Sequence, residues 1–328
     1  MSRIRRREIL IAACVLLTAP FALGQPAARL VRIGILSEGN EDGNVSFGPA
    51  FREQLRKLGY VEGKNLVIET RFAQGVPARL PAQAAELVAL KPDLIVTTAT
   101  PSTQAAMKAT SSIPILMSGV GDPVKLGLVA SLARPGGNVT GISIMSAQVA
   151  AKWLEMLLEI APGAKKIAYL GQSSNQAIRE IYQSLQETGR SRGVAIRLLE
   201  AGTPDEIARA FELMVREKFD GFVVSGTPVL LAHRQTIVNL AARHRLPAVY
   251  GREEYVAAGG LLSHGNDSAE RYRRTADYAH RILQGAKAAD LPVEQSSGFR
   301  TVVNLATARA LGIKIPQSIL LRADQVIE

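Results

Sequence analysis

Residues 91–101 read KPDLIVTTATP and residues 218–228 read KFDGFVVSGTP, the same apolar strand end repeated at an offset of 127. The run IPILMSG (113–119) has a counterpart in LPAVYG (246–251), with Pro114 matching Pro247 at an offset of 133. VRIGIL (31–36) pairs with KKIAYL (165–170), Ile33 matching Ile167 at 134. Between these runs the spacing turns helical: Phe51, Leu55 and Leu58 share one face of FREQLRKLG, and Ile178, Ile181, Tyr182 and Leu185 share one face of 175–193. Strands alternating with helices require parallel βαβ units. A chain that writes the series twice is expected to be α/β, with two similar doubly wound parallel-sheet lobes.

Other helices are expected near 102–110, 124–133 and 230–243. Thr203-Pro204-Asp205-Glu206 is a capping box, with Thr as N-cap, Pro at N1 and Glu at N3. After residue 265, the helical AERYRRTADYAHRILQG and the strand-like FRTVVNL are too little for a third domain. They are expected to return to the two lobes. That places residues 25–143 plus about 266–290 in the first lobe and 144–265 plus about 291–328 in the second, joined by hinge crossovers.

The first 24 residues stand apart. MSRIRRRE is basic, the 15 residues of ILIAACVLLTAPFAL are apolar, and Ala22-Leu23-Gly24 places small residues at −3 and −1 before Gln25. This is the layout of a secretory signal peptide, too short to span a bilayer. Arg6-Arg7-Glu8-Ile9-Leu10 also fits a loose twin-arginine pattern, which leaves Sec and twin-arginine export both open. A lipoprotein cleavage box at Ile11-Ala12-Ala13-Cys14 is disfavoured, since the apolar run continues past it. Cys14 is the one cysteine of 328 residues, so cleavage after Gly24 excludes both a disulfide and thiol catalysis. A soluble periplasmic protein is the expectation. Without the leader the chain has 35 basic and 28 acidic side chains, a balance of +7. These charges are spread along helices such as AERYRRTADYAHR, read here as solvated faces rather than a nucleic-acid surface.

In open parallel sheets, ligands sit beyond the carboxyl ends of the strands, where helix N-termini offer unbonded N–H groups suited to an anion. Ser37-Glu38, Thr97-Thr98-Ala99-Thr100-Pro101, Asp122-Pro123, Ser173-Ser174-Asn175 and Thr227-Pro228 occupy such junctions. Thr100 and Thr227 each read equally as a helix cap or a ligand contact; their equivalence across two lobes favours a site. Arg252, in GREEY after Tyr250, reads equally as a carboxylate clamp or as the partner of Glu253 or Glu254. The candidate ligand-binding set is Ser37, Glu38, Thr98, Thr100, Asp122, Ser173, Asn175, Thr227 and Arg252, with Glu38 or Asp122 available to an ammonium. Trp153 shares a helical stripe with Val149, Met156, Leu157 and Ile160 and is read as packing. His233, His244 and His280 are read as surface residues, and His264 as cleft or surface. No Walker loop, G-x-G-x-x-G, H-E-x-x-H or G-x-S-x-G occurs, and no catalytic residue, metal site or cofactor is expected.

Several long blocks are similar to those of the ABC-transporter substrate-binding family related to the tryptophan-binding TrpX-type receptors. They are FREQLRKLGYVEGKNLVIETRFAQG, RLPAQAAELVALKPDLIV, GDPVKLGLVASLARPGGNVTGIS, GREEYVAAGGLLSHG and ADLPVEQSSGFRTVVNLATARALGIKIP, together spanning roughly residues 31–328. The resemblance implies a type I periplasmic-binding fold with two lobes, hinge strands and a cleft. It also implies a small solute (an amino acid or other small carboxylate), an inner-membrane ABC permease as partner, and no catalysis. Related sequences often read Ser-Tyr-Gly where this chain has Ser263-His264-Gly265. A monomer that binds no nucleic acid is expected. An exported two-lobe hydrolase or racemase is the main alternative, although a racemase of this architecture would want a cysteine pair. A transcription regulator of the same fold would need a helix-turn-helix in place of the leader.

Overall fold

The computed structural model describes residues 29–42, 47–144, 146–296 and 298–328, except for the side chains of 146–148; the leader expected over residues 1–24 lies outside the described residues. The chain runs β1 (Val31–Ser37), α1 (Phe47–Lys57), β2 (Leu66–Phe72), α2 (Leu80–Ala89), β3 (Leu94–Thr98), α3 (Thr100–Ala109), β4 (Ile115–Val120) and β5 (Val139–Ser143). The second series is α4 (Ser146–Ile160), β6 (Lys166–Gly171), α5 (Gln176–Arg192), β7 (Ala195–Glu200), α6 (Pro204–Arg216) and β8 (Gly221–Val224). It continues with α7 (Pro228–Ala232), α8 (Arg234–Arg243), β9 (Ala248–Tyr250), α9 (Glu253–Ala257) and β10 (Leu262–Asn266). The closing segment adds α10 (Ser268–Leu283), β11 (Glu294–Gln295), β12 (Phe299–Asn304), α11 (Leu305–Leu311), α12 (Gln317–Leu320) and β13 (Gln325–Ile327).

Two sheets form, ordered β11-β5-β4-β3-β1-β2 and β13-β12-β10-β9-β8-β6-β7. The inner order of each is the same: β5-β4-β3-β1-β2 in one and β10-β9-β8-β6-β7 in the other. The sequence repeat is therefore a structural repeat of two doubly wound units. All pairings in these orders are parallel except β10 with β12. In each unit the strand order reverses next to its first strand, at β1/β3 and β6/β8, and such a reversal opens a crevice at the strands' carboxyl ends.

Both faces of each sheet are covered, which is why the strands are near-continuous apolar runs. Ile33, Ile35, Val96 and Leu116 pack against Phe47, Phe51 and Leu55 of α1 and Tyr272, Ala276 and Ala279 of α10. Leu36, Ile95, Ile115 and Met117 point the other way, onto Leu80, Ala84 and Leu87 of α2 and Ala105 and Ala106 of α3. In the second unit, Ile167, Tyr169, Val223 and Val249 meet α4 and α5, while Ala168, Leu170, Phe222 and Tyr250 meet α6 and α8.

The chain passes from one sheet to the other after β5, after β10 and after β11, and the described residues there lie side by side. Ser296 N–H donates to Ser143 O (2.8 Å), Asn266 Nδ2 to Ser296 O (3.2 Å) and Asp267 N–H to Gly298 O (2.9 Å). Three short crossings are the covalent requirement for a hinge.

Some local expectations change. The helix expected near 124–133 is a series of turns, with Leu126 N–H bonded to Asp122 O and Gly127 at φ 67°. The helix expected over 230–243 breaks at His233 into α7 and α8. The Thr203 box caps α6 with both reciprocal bonds in place.

Candidate functional site

The β3–α3 and β8–α7 junctions line one cavity between the sheets, as their repeated sequences suggested. Its volume is about 780 Å³ including the open mouth. Thr98, Ala99 and Thr100 line it from the first unit, and Ser225, Gly226, Thr227 and Pro228 from the second. Asn175, Gly251, Arg252 and Asn266 add polar surface; Ile144, Val149, Trp153, Ala177, Ile178 and Ile181 form an apolar wall.

Of the nine candidates, five line this cavity: Thr98, Thr100, Asn175, Thr227 and Arg252. Ser37 lies just behind, its Oγ accepting from Thr98 Oγ1 at 2.8 Å across the β1/β3 reversal. Glu38 is buried beside a neighbouring cavity, described below. Asp122 and Ser173 do not line the cavity. The Asp122 carboxylate accepts from the N–H groups of Val124 and Lys125 (3.1 Å each), and exposed Ser173 is tied through its backbone to Glu200 and Arg179. Both are turn formers satisfied locally.

The two jaws differ at close range. Thr227 is a true N-cap of α7, accepting from Leu230 N–H at 3.4 Å. Thr100 is not a cap. The helix starts one residue earlier, with Ala99 as N-cap and Thr100 at N1. Ala99 has φ 78° and ψ 165°, a region open essentially to glycine, at a cost of about 1–3 kcal/mol. Ala99 cannot cap with its side chain, so α3 presents its first N–H groups uncapped at the cavity. Thr97 is occupied by Thr103 Oγ1 (2.7 Å), and Ser102 Oγ returns to Thr98 O (2.7 Å). These contacts assign the valine substitutions different outcomes. Thr227→Val should cost about 1 kcal/mol of stability through the lost cap, and Thr100→Val close to none, in denaturant titrations.

Within the charged centre, Arg252 was a candidate and Arg271 is the part that sequence reasoning missed. Arg252 is 5% exposed and forks onto Glu254, Nε to Oε2 at 3.1 Å and Nη2 to Oε1 at 2.5 Å. Burial opposes its charge, but Glu254 and Tyr272 outweigh that and raise its pKa above the ordinary arginine value. Arg271 on α10 is equally buried, and its Nε has no hydrogen-bond partner. Burial lowers its pKa, the neighbouring Arg252 adds to the lowering, and Tyr272 offsets it in part. Tyr272 is itself buried, which raises its phenol, yet the attraction of Arg271 and Arg252 turns the net shift downward. Arg271 and Tyr272 both line the cavity, and among the described residues no acidic side chain does. Among the described residues the site therefore brings together two guanidiniums, Arg252 and Arg271, with the Glu254 carboxylate paired to Arg252. A buried guanidinium nitrogen without a hydrogen-bond partner is costly, and the Arg271 Nε is one.

Arg271 sits in AERYRR, which was read as a solvated face. The usable signal was spacing: Arg271, Thr275, Tyr278 and Ile282 recur at helical intervals, and all four are buried. Trp153 packs as expected but also lines the cavity, held by its indole N–H on His264 O at 2.6 Å. The His264 ring does not line the cavity; it bonds Thr301 Oγ1 (2.9 Å) and stacks on Phe299, and burial lowers its pKa.

Residues 33–327 match the model of the ABC transporter substrate binding protein family. The chain belongs to that family. It is a substrate-binding protein rather than an enzyme, which sets aside the hydrolase and racemase alternative. It is 30% identical over 265 residues to a tyrosine-binding protein of Clostridioides difficile, covering 80% of this chain and 76% of the relative. An ABC domain from Streptococcus pneumonia in complex with L-Trp superposes with a TM-score of 0.82 at 28% identity, covering 90% of this chain and 99% of that one. A ligand-free, open substrate-binding protein with adhesive properties from Clostridium difficile has the same identity and coverage but a TM-score of only 0.62. Equal relatedness with unequal superposition points to lobe arrangement. The structure here superposes more closely on the L-Trp complex than on the ligand-free, open relative.

Direct contacts across the cleft agree. Arg234 Nη1 donates to Asp42 O at 3.1 Å, Lys125 lies 3.9 Å from Glu180, and Gly39 packs so tightly on Pro228 that an added Cβ would meet it at 2.8 Å. Among the described residues no helix is long and apolar enough to cross a membrane.

Proposed function

We propose that this chain is the exported receptor of an ABC importer, closing two lobes over an aromatic amino acid of the tyrosine or tryptophan type. The observation that carries the reading is buried Arg271, whose Nε has no hydrogen-bond partner, in a cavity also lined by Trp153, Val149, Ile178 and Ile181. A carboxylate at Arg271 supplies the missing anion, and an aryl side chain fills the apolar wall. Thr100, with the uncapped start of α3, and Thr227 supply hydrogen bonds from the two lobes, so binding and closure are one event. Residues 1–24 act as the export leader, and the permease of an inner-membrane importer is the partner. The relatives' tyrosine and L-Trp support the ligand class.

The absence of an acidic lining residue favours a second reading, an aryl carboxylate without an amine. Isothermal titration of the purified protein with L-tyrosine, L-tryptophan and L-phenylalanine, and with their 2-oxo acids, separates the two. Micromolar or tighter binding of an amino acid, with its oxo acid weaker, supports the first reading; the reverse order supports the second. No heat from any of them removes the aromatic class. Recovery of a mature N-terminus at Gln25 from a periplasmic extract tests the leader. Against the best ligand, the pair Thr100→Val and Thr227→Val should lose tenfold or more in affinity, about 1.4 kcal/mol. Unchanged affinity would reduce Thr227 to a cap and Thr100 to filling.

A further inference from the structure

Glu38 is the buried carboxyl that ligand binding leaves unexplained. It follows β1, is 2% exposed, and its Oε1 has no hydrogen-bond partner. Its backbone is pinned, since Gly75 N–H donates to Glu38 O (2.8 Å) and Gln74 N–H to Gly39 O (2.9 Å). Around it lies a second cavity lined by both lobes. Pro77, Leu80, Pro81, Pro101, Gln104, Ala105 and Lys108 come from the first lobe; Gln172, Ser174, Asn175, Gln176 and Arg179 come from the second. Next to it, Gly39 abuts Pro228 of the second lobe, and Gly75 faces Val229. The residue is therefore enclosed by the approach of one lobe to the other.

We propose that Glu38 couples lobe closure to uptake of one proton from solvent: the lobes close over it as a neutral acid, and opening returns it to water as a carboxylate. The proposal concerns closure itself and holds for whichever solute the cleft takes. Geometry carries it, because a buried carboxylate with an oxygen left unpartnered, as Glu38 Oε1 is, is far costlier than a carboxylic acid. The charged groups facing the cavity are Lys108 on α3 and Arg179 on α5; α2 and the turn before it contribute only Leu80, Pro81 and Pro77. Neither cation offsets the burial, which pushes the Glu38 pKa from 4.5 up to about 8. The sign follows. A group whose pKa is higher in the closed form favours closure fully below its open-form pKa. That advantage is lost as pH rises through the carboxyl range toward 8, by up to about tenfold per unit.

The test uses the full mature protein and Glu38→Gln, which mimics the neutral acid in size and shape. Small-angle scattering of the unliganded wild type between pH 9 and pH 5 should show compaction as pH falls. The variant should show the low-pH dimensions throughout. In titrations with L-tyrosine, wild-type affinity should fall at least tenfold from pH 5.5 to 7.5, with net proton uptake seen as a buffer-dependent heat, and both effects should vanish in Glu38→Gln. A wild type that does not compact overturns the proposal. So does a pH dependence that survives intact in the variant, which would then belong to other groups. If L-tyrosine fails to bind at any pH while the compaction appears, the amino-acid reading fails and the coupling stands. If L-tyrosine binds equally at every pH, the coupling fails and the reading stands.

Discussion

Arg271→Met should abolish ligand capture while leaving the protein as stable as before, or more so. Removing one partner of a buried charge-assisted contact costs about 3 kcal/mol, roughly 150-fold in Kd. Titration with the best aromatic ligand should therefore lose its signal at micromolar protein. Stability moves differently because the unliganded fold gains little from this guanidinium. Its Nε is unpartnered, burial lowers its pKa, and Arg252 lies close by. A methionine of similar length removes a desolvation cost and keeps the packing beside Tyr272. A second readout follows from the same variant. With one attracting cation gone, the Tyr272 phenol should titrate at higher pH, measurable in ultraviolet difference spectra. If Arg271→Met binds normally, the carboxylate is held elsewhere. If the variant unfolds instead, Arg271 is a structural ion and the cavity's missing anion is not the ligand.

The repeat KPDLIVTTATP and KFDGFVVSGTP was enough to place two equivalent strand ends, because parallel βαβ order and strand direction leave few ways to arrange them. It was not enough to say which hydroxyls are spent locally. Thr97 bonds Thr103, Ser102 returns to the backbone, and Asp122 closes a turn. All are short-range bonds that any strand-to-helix junction can make. The one-residue shift that makes Ala99 the cap of α3 requires a backbone conformation no alanine signals in advance. Arg271 was hidden for another reason. Composition marks 269–274 as charged, but which charge turns inward depends on how α10 rolls against β4 and β5 of the first sheet. Arg252 was visible because only one basic residue follows β9, and even so its fork onto Glu254 left open which of two acids it would take. Local chemistry was readable; the assembly of charge from two separated segments, 252–254 and 271–272, was not.

Glu254→Gln should have the opposite effect on stability to Arg271→Met, although both remove one charge from the same cluster. Among the described residues, Glu254 is the carboxylate that pairs with Arg252, its side chain 13% exposed against 6% for Arg252. Without it, two guanidiniums face one cavity uncompensated, and such a loss costs about 3–5 kcal/mol. For a chain of this size that is a fall of about 5–8 °C in melting temperature. The vacancy also changes what the cleft prefers. Two unpaired guanidiniums suit two carboxylates, so a small dicarboxylate such as succinate should raise the melting temperature of the variant and leave the wild type unmoved. The pairing of results is what discriminates. If the cavity is one anion short when empty, removing a cation relieves it and removing an anion worsens it. Melting both variants at low ionic strength, without ligand, reads that sign directly. Equal destabilisation of the two would mean that the charges serve the core alone and that the cleft is not waiting for a carboxylate.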